Sequence, residues 1–260
     1  MAGLVDGKVA LVTGAASGIG RATAHLFGQQ GANLFLVDIN SEQLEEAKAQ
    51  IQKETKANVV TQVVNVTDDE AIRKSFQHAV ATLGGVDMLI SNAGNAVQGR
   101  IGEVDAQTLR KSFDLNFFAH QNLAAGAVDL FLKQKTGGVL LFNASKAAFN
   151  PGKDFGPYAL PKAAVVALTK QYALDYGPDG VRANAINADR IRTGLFTDEV
   201  LEKRAAARGL KPEEYFRQNL LHEEVLDTDV AQAFLNLALA EKTTGCIFTV
   251  DGGNIAASPR

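Results

Sequence analysis

Cysteine is almost missing from this chain. Cys246 is the single one, which excludes an intrachain disulfide framework. It falls in an apolar run, and a buried strand thiol is the expected role for its type. An excess of either charge is missing too: 26 Lys and Arg against 29 Asp and Glu leave a net charge of -3. No basic patch stands out, so nucleic acid is not an expected partner. No apolar run reaches the roughly 18 residues that a membrane-spanning helix needs. The first residues show no charged segment leading into an apolar one, so no secretory signal is expected, and a cytoplasmic protein follows. The four histidines, His25, His78, His120 and His222, lack metal-ligand spacing, so no metal is expected. Internal repeats and low-complexity tracts are absent as well.

What is present is a rhythm. A chain of 260 residues that is 46% hydrophobic suffices for one well-buried α/β domain and is short for two. Short apolar runs at 8–13, 33–37, 58–64, 86–91, 138–143, 181–187 and 246–250 read as strands. Between them lie amphipathic stretches at 19–30, 41–55 (capped by Ser41), 68–83, 106–135 in one or two pieces, 158–176 and 229–240. Near-continuous apolar strands separated by helices predict a Rossmann-type, doubly wound parallel sheet of seven strands with helices on both faces. The whole of 1–260 is then one dinucleotide-binding catalytic domain. The stretch 189–228 breaks the rhythm: it is polar and helical, with Pro212 interrupting it. It follows the C-terminal end of a strand, where open α/β sheets hold their ligands, and is expected to be a substrate lid. An ordinary surface insertion is the alternative.

The first strand runs into Thr13-Gly14-Ala15-Ala16-Ser17-Gly18-Ile19-Gly20. Three glycines between a strand and a helix let the backbone turn tightly and approach a pyrophosphate, with the helix N-terminus facing the anion. Asp38 closes the second strand, 18 residues past Gly20. A carboxylate there accepts from ribose hydroxyls and repels a 2′-phosphate, and no Arg or Lys follows closely, so NAD is expected rather than NADP. Tyr158 and Lys162 stand four apart and share a helix face, with Ser145 upstream just past the fifth strand and Asn116 in an apolar helical stretch. An ammonium beside a phenol is expected to lower the phenol's pKa toward neutrality.

In these motifs, and in Ser91-Asn92-Ala93-Gly94, Asn184-Ala185-Ile186-Asn187 and Val250-Asp251-Gly252-Gly253, the sequence resembles the short-chain dehydrogenase/reductase family over nearly its whole length. The resemblance implies that Gly14, Ser17, Gly18, Ile19 and Gly20 line the pyrophosphate, and that Asp38 holds the adenosine ribose. Asn65 and Val66 would flank adenine, while Asn92, Ala93 and Gly94 pass under the cofactor. Asn116, Ser145, Tyr158 and Lys162 would form the catalytic tetrad, with Asn116 holding a water that links Lys162 to solvent. Ile191 and Thr193 would meet the nicotinamide carboxamide. It further implies a homotetramer or homodimer built on the long helices.

Three departures bear on the site. Ala188-Asp189 stand where the family usually has Pro-Gly, which puts another loop path beside the nicotinamide in prospect. Pro161 precedes Lys162, so the helix is expected to begin near Tyr158, with the proline in its first turn. Arg190 and Arg192 lie at the expected substrate mouth. Either they grip an anionic substrate group, or they pair with the pyrophosphate or local acids such as Asp189. The stretches 150–158, 187–192 and 251–257 resemble the dehydrogenase half of bifunctional rhamnulose-phosphate aldolase/dehydrogenase proteins, which is associated with lactaldehyde oxidation. That resemblance adds Lys153 and Asp154 as substrate-side candidates. The expected activity is hydride transfer between NAD and a small polar alcohol, sugar or aldehyde. A 3-oxoacyl-type carbonyl reductase and a non-catalytic dinucleotide sensor are the alternatives.

Overall fold

The computed structural model describes residues 3–192, 198–206 and 209–254. Strands β1 (Val9–Thr13), β2 (Asn33–Asp38), β3 (Val59–Val63), β4 (Met88–Ser91), β5 (Gly138–Asn143), β6 (Val181–Ala188) and β7 (Ile247–Val250) form one sheet, ordered β3-β2-β1-β4-β5-β6-β7. Every neighbouring pair is parallel. Parallel neighbours need crossovers, which here are mainly helical. The helices are α1 (Gly18–Gln29), α2 (Ser41–Glu54), α3 (Asp69–Leu83), α4 (Ala106–Phe113), α5 (Ala119–Gln134), α6 (Gly156–Tyr176), α7 (Asp198–Ala206) and α8 (Asp227–Leu239).

Alternate strand residues feed two separate cores. Val12, Leu34 and Leu36 pack with Phe27 of α1, Ile51 of α2 and Phe234 of α8. Their neighbours Leu11, Phe35 and Val37 pack with Phe76 of α3, Phe131 of α5 and Val165 of α6. A strand buried on both sides has no polar face to show, which is why these runs read as continuous apolar segments. The chain order reverses between β1 and β4, and the crevice beyond their C-terminal ends is where such sheets bind ligands. Among the described residues no helix is long and apolar enough to cross a membrane.

Several local expectations shift. The cap of α2 is Asn40, whose side chain accepts from the Gln43 N–H, and Ser41 is already helical. Cys246 is only partly buried and sits one residue before β7. The stretch 106–135 is helical in pieces, with a π turn at Asp114–Phe118 joining α4 to α5. Pro212 opens a 3₁₀ turn, Pro212–Arg217, which packs Tyr215 and Phe216 against Leu201 and Ala205 of α7.

The start of α6 is the most informative correction. The helix begins at Gly156, so Pro157 takes the first turn and Pro161 lies inside it. A proline at 161 has no N–H for the carbonyl four residues back, which is that of Pro157. The buried Ser112 hydroxyl donates to that oxygen at 2.7 Å, and itself accepts from Asn116 Nδ2 at 3.1 Å. Ser112→Ala is expected to cost about 1–3 kcal/mol, because it leaves a buried carbonyl unpaired. Urea unfolding measures this, and an unchanged midpoint would remove the role assigned to Ser112.

Candidate active site

Backbone shape comes first. Gly14 holds φ +65°, a left-handed conformation that glycine adopts without strain, and a Cβ there would stand 2.9 Å from Asn92 Nδ2. A Cβ on Gly20 would fall 2.0 Å from the Gly14 carbonyl oxygen, so α1 could not dock on its own loop. The loop is tied down from β4. Thr13 Oγ1 accepts from the N–H groups of Asn92 and Ala93 at 3.0 and 3.2 Å, and Asn92 Nδ2 donates to the Thr13 carbonyl at 3.0 Å. Asp38 braces the same loop from β2: one oxygen accepts from the Ala16 N–H at 3.0 Å, the other from the Asn40 N–H at 2.9 Å. The carboxylate is thereby fixed at the mouth of the crevice.

The chain of bonds continues to the catalytic end. Asn143 Nδ2, at the tip of β5, donates to Asn92 Oδ1 at 2.8 Å, and the Asn143 carbonyl accepts from Lys162 Nζ at 2.6 Å. Lys162 is 2% exposed and its Nζ lies 5.9 Å from the Tyr158 ring centroid. Ser145 is extended, caps the turn Lys146–Ala148 by accepting from the Ala147 N–H, and shares a hydrogen bond with the Tyr158 hydroxyl.

Burial sets the titration of this pair. It pushes Lys162 down from 10.5 to about 7. It also raises Tyr158 above 10, against the smaller lowering effects of the Ser145 hydrogen bond and the Arg204 charge. The expected lowering of Tyr158 is therefore not seen in the protein alone. Loss of hydration outweighs both the Ser145 hydrogen bond and the Arg204 charge.

One cavity of about 930 Å³ connects the two ends. Gly14, Ser17, Gly18, Ile19, Asp38, Asn65, Val66, Asn92, Ala93, Gly94, Ser145, Tyr158, Lys162, Arg190 and Ile191 all line it. Gly20 does not, since its part is the close helix–loop contact. Asn116 does not either. Its Oδ1 accepts from the Asn95 N–H at 3.0 Å, and Nδ2 donates to the Asn95 carbonyl and to Ser112, so its amide braces the loop at Asn95. The π turn carrying it turns the side chain that way.

The substrate-side arginines pair locally. Arg190 Nη1 donates to the Tyr215 carbonyl at 2.7 Å and Nε lies 3.5 Å from Asp189. Arg192 sits outside the cavity lining, bonded to Glu224 at 2.8 Å and stacked on Phe216. Lys153 is exposed and also outside the lining. Asp154 is exposed in a left-handed conformation, and its carbonyl accepts from the Gly99 N–H. Thr193 lies outside the described residues. In place of Pro-Gly, Asp189 anchors the loop after β6: it faces Lys146 and Arg190 and accepts from Asn254 Nδ2. Arg204 on α7 lines the cavity and stacks on Phe155 at 5.4 Å. A basic residue beside Lys203 at the end of a polar helix offered no motif to find it by.

These elements define a known class. The family model described as short chain dehydrogenase matches residues 8–204, and the chain belongs to that family of oxidoreductases. It is 31% identical over 97% of its length to the uncharacterized oxidoreductase YuxG of Bacillus subtilis, but spans only 38% of that protein. It is 32% identical to the 3-oxoacyl-[acyl-carrier-protein] reductase FabG of Thermotoga maritima, covering 96% of this chain and 98% of that one. The crystal structure of carveol dehydrogenase from Mycobacterium avium, in complex with NAD, matches with a TM-score of 0.91 at 26% identity, covering 98% of this chain and 99% of that one.

Proposed function

We propose that this chain is an NAD-dependent dehydrogenase acting on a small polar alcohol, sugar or aldehyde, with Tyr158 as acid/base, in a single catalytic domain. The observation that carries this reading is the cavity with the glycine loop and Asp38 at one end and Ser145, Tyr158 and Lys162 at the other. The fit to a dinucleotide rests on Gly14, Gly18 and Gly94, which open the wall. A Cβ on Gly94 would stand 2.8 Å from Asn116 Oδ1 and 3.5 Å from Lys162 Nζ. Gly14, Ser17, Gly18 and Ile19 would hold the pyrophosphate, Asp38 the adenosine ribose, Asn65 and Val66 the adenine, and Ile191 with Thr193 the carboxamide. Bound NAD supplies the hydride acceptor and a positive ring charge.

The remaining chemistry belongs to the chain. Ser145 holds the substrate oxygen beside the phenol. Tyr158 takes the hydroxyl proton in oxidation and returns it to the carbonyl oxygen in reduction. Lys162 offers its third N–H to the nicotinamide ribose and adds positive charge near the phenolate. Residues 189–228 serve as the substrate lid, which is supported by Arg204 and Tyr215 at the cavity wall. Arg190 and Arg192 shape that lid. The sequence resemblance to rhamnulose-phosphate aldolase/dehydrogenase proteins favours lactaldehyde-like substrates, and the much longer B. subtilis relative has room for a second half. A homotetramer or homodimer is supported by Leu160 and Leu174 of α6, which are 48% and 73% exposed.

Incubation with NAD and a panel of polyols, deoxysugars, lactaldehyde and hydroxy acids tests the reading through NADH absorbance. Dinucleotide binding with no turnover on any of them would favour a sensor. Asp38→Asn removes the charge and can keep only one of the two accepted loop contacts, since an amide has a single acceptor oxygen. Its preference for NAD over NADP in kcat/KM is expected to fall by at least roughly tenfold, the scale of one charge–charge contact. An unchanged ratio would take cofactor selection away from Asp38.

A further inference from the structure

Behind Lys162 lies a buried pair that the hydride-transfer chemistry does not use. His120, on α5, is 1% exposed, and Ser91, at the end of β4, is fully buried. Ser91 Oγ and His120 Nδ1 are 2.6 Å apart, and His120 Nε2 is 3.3 Å from Lys162 Nζ. Phe142 of β5 closes the side of the imidazole with its ring edge. Burial, aided by the Lys162 charge, holds His120 well below its ordinary value, so the ring is neutral near pH 7. Among the described residues Lys162 is the charged group acting on it, and Tyr158 lies beyond Lys162.

The tautomer then follows from the neighbours. Below pH 7, where Lys162 holds its proton, the ammonium can only donate, so Nε2 is the bare nitrogen facing it. The ring proton sits on Nδ1 and is donated to Ser91 Oγ. The opposite tautomer would point an N–H at an ammonium. Lys162 needs this acceptor, because burial has stripped the ammonium of water and the Asn143 carbonyl serves only one of its three hydrogens.

We infer that His120, locked in its Nδ1–H tautomer by Ser91, is a positioning residue that keeps the Lys162 side chain charged and aimed at the cavity. This rests on Lys162 acting as proposed above, but its geometric core does not. Without His120 the ammonium loses an acceptor, neutral lysine gains, and less positive charge supports the Tyr158 phenolate.

Two measurements test it. The first needs no turnover: long-range ¹H–¹⁵N NMR of ¹⁵N-histidine-labelled protein, with His120 assigned by His120→Gln, reads the tautomer. At pH 6, where Lys162 is an ammonium, Nδ1–H is expected, with a shift toward Nε2–H in Lys162→Met. An Nε2–H ring in the wild-type protein overturns the inference. The second uses an alcohol that the wild-type protein oxidises. His120→Leu is expected to lower kcat at pH 7 by roughly tenfold, about one hydrogen bond to a charged group, and to move the acidic limb of the pH profile upward with alcohol KM unchanged. His120→Gln, whose carbonyl reaches the Nε2 position, is expected to recover most of the rate, and Ser91→Ala to fall between. Equal losses in the Leu and Gln variants with an unmoved pH profile would mean that His120 only fills space. Absence of turnover in the wild-type protein would count against the dehydrogenase reading and leave the NMR result to decide this one.

Discussion

Tyr158→Phe is expected to lower kcat for alcohol oxidation by roughly three orders of magnitude, the range that a positioned proton acceptor supplies. The substitution removes one oxygen and little volume. The ring keeps its place in the first turn of α6, and Lys162 keeps its bonds to Asn143 and His120. What goes is the group that shares a hydrogen bond with Ser145 and takes the proton. NADH affinity, read by fluorescence titration, is expected to stay within about threefold of the wild-type value, since hydrogen bonds to the cofactor are assigned to other residues. A variant that retains more than about a tenth of the activity would mean that another group carries the proton.

The second large effect has two signs. Lys162→Met is expected to lower kcat at least roughly a hundredfold and, in acid, to stabilise the fold. Lys162 titrates near 7 in the folded protein and at 10.5 when unperturbed. Below pH 7 both states hold the proton, and the folded state bears the whole cost of a buried ammonium. Between 7 and 10.5 the folded protein releases the proton while the unfolded chain keeps it. Wild-type stability therefore rises with pH by up to about 1.4 kcal/mol per unit in that window. Methionine has no such titration, so its advantage at pH 6 is expected to shrink by about 2–3 kcal/mol by pH 9. Denaturant melts at both values measure the difference, and equal shifts at the two would remove the lysine's titration from the stability balance.

Much of this site was legible in the sequence because its residues are punctuated locally. The glycine loop stands between a strand and a helix, Asp38 ends the next strand, and Tyr158 and Lys162 repeat at helical spacing. The seven apolar runs were equally plain, since burial on both faces leaves nothing else for a parallel strand to be. The other half of the site is held by residues that no spacing links. Ser91, His120, Asn143 and Lys162 meet only because β4 and β5 are neighbours and α5 and α6 pack on the same face. Asn143 and His120 look like ordinary strand-end and helix residues until that topology is known. Asn116 matched a motif by identity, but no spacing showed that it sits on a π turn with its amide bonded to Asn95 and Ser112. The paired arginines left an anion grip and local pairing equally open in the sequence; the structure shows Arg190 beside Asp189 and Arg192 on Glu224, a partner 32 residues away that no spacing announced.

Ser112 and Pro161 carry a historical consequence. The hydroxyl at 112 answers a hydrogen-bond vacancy that the proline at 161 creates in another helix, so the two positions are not free to change in either order. In a background where position 161 has an N–H, as in Pro161→Ser, the Pro157 carbonyl regains a partner within α6. The cost of Ser112→Ala is then expected to shrink well below the sum of the separate effects. A lineage could shed the proline first and the serine later, whereas the reverse path runs through an intermediate with an unpaired carbonyl one residue from Tyr158.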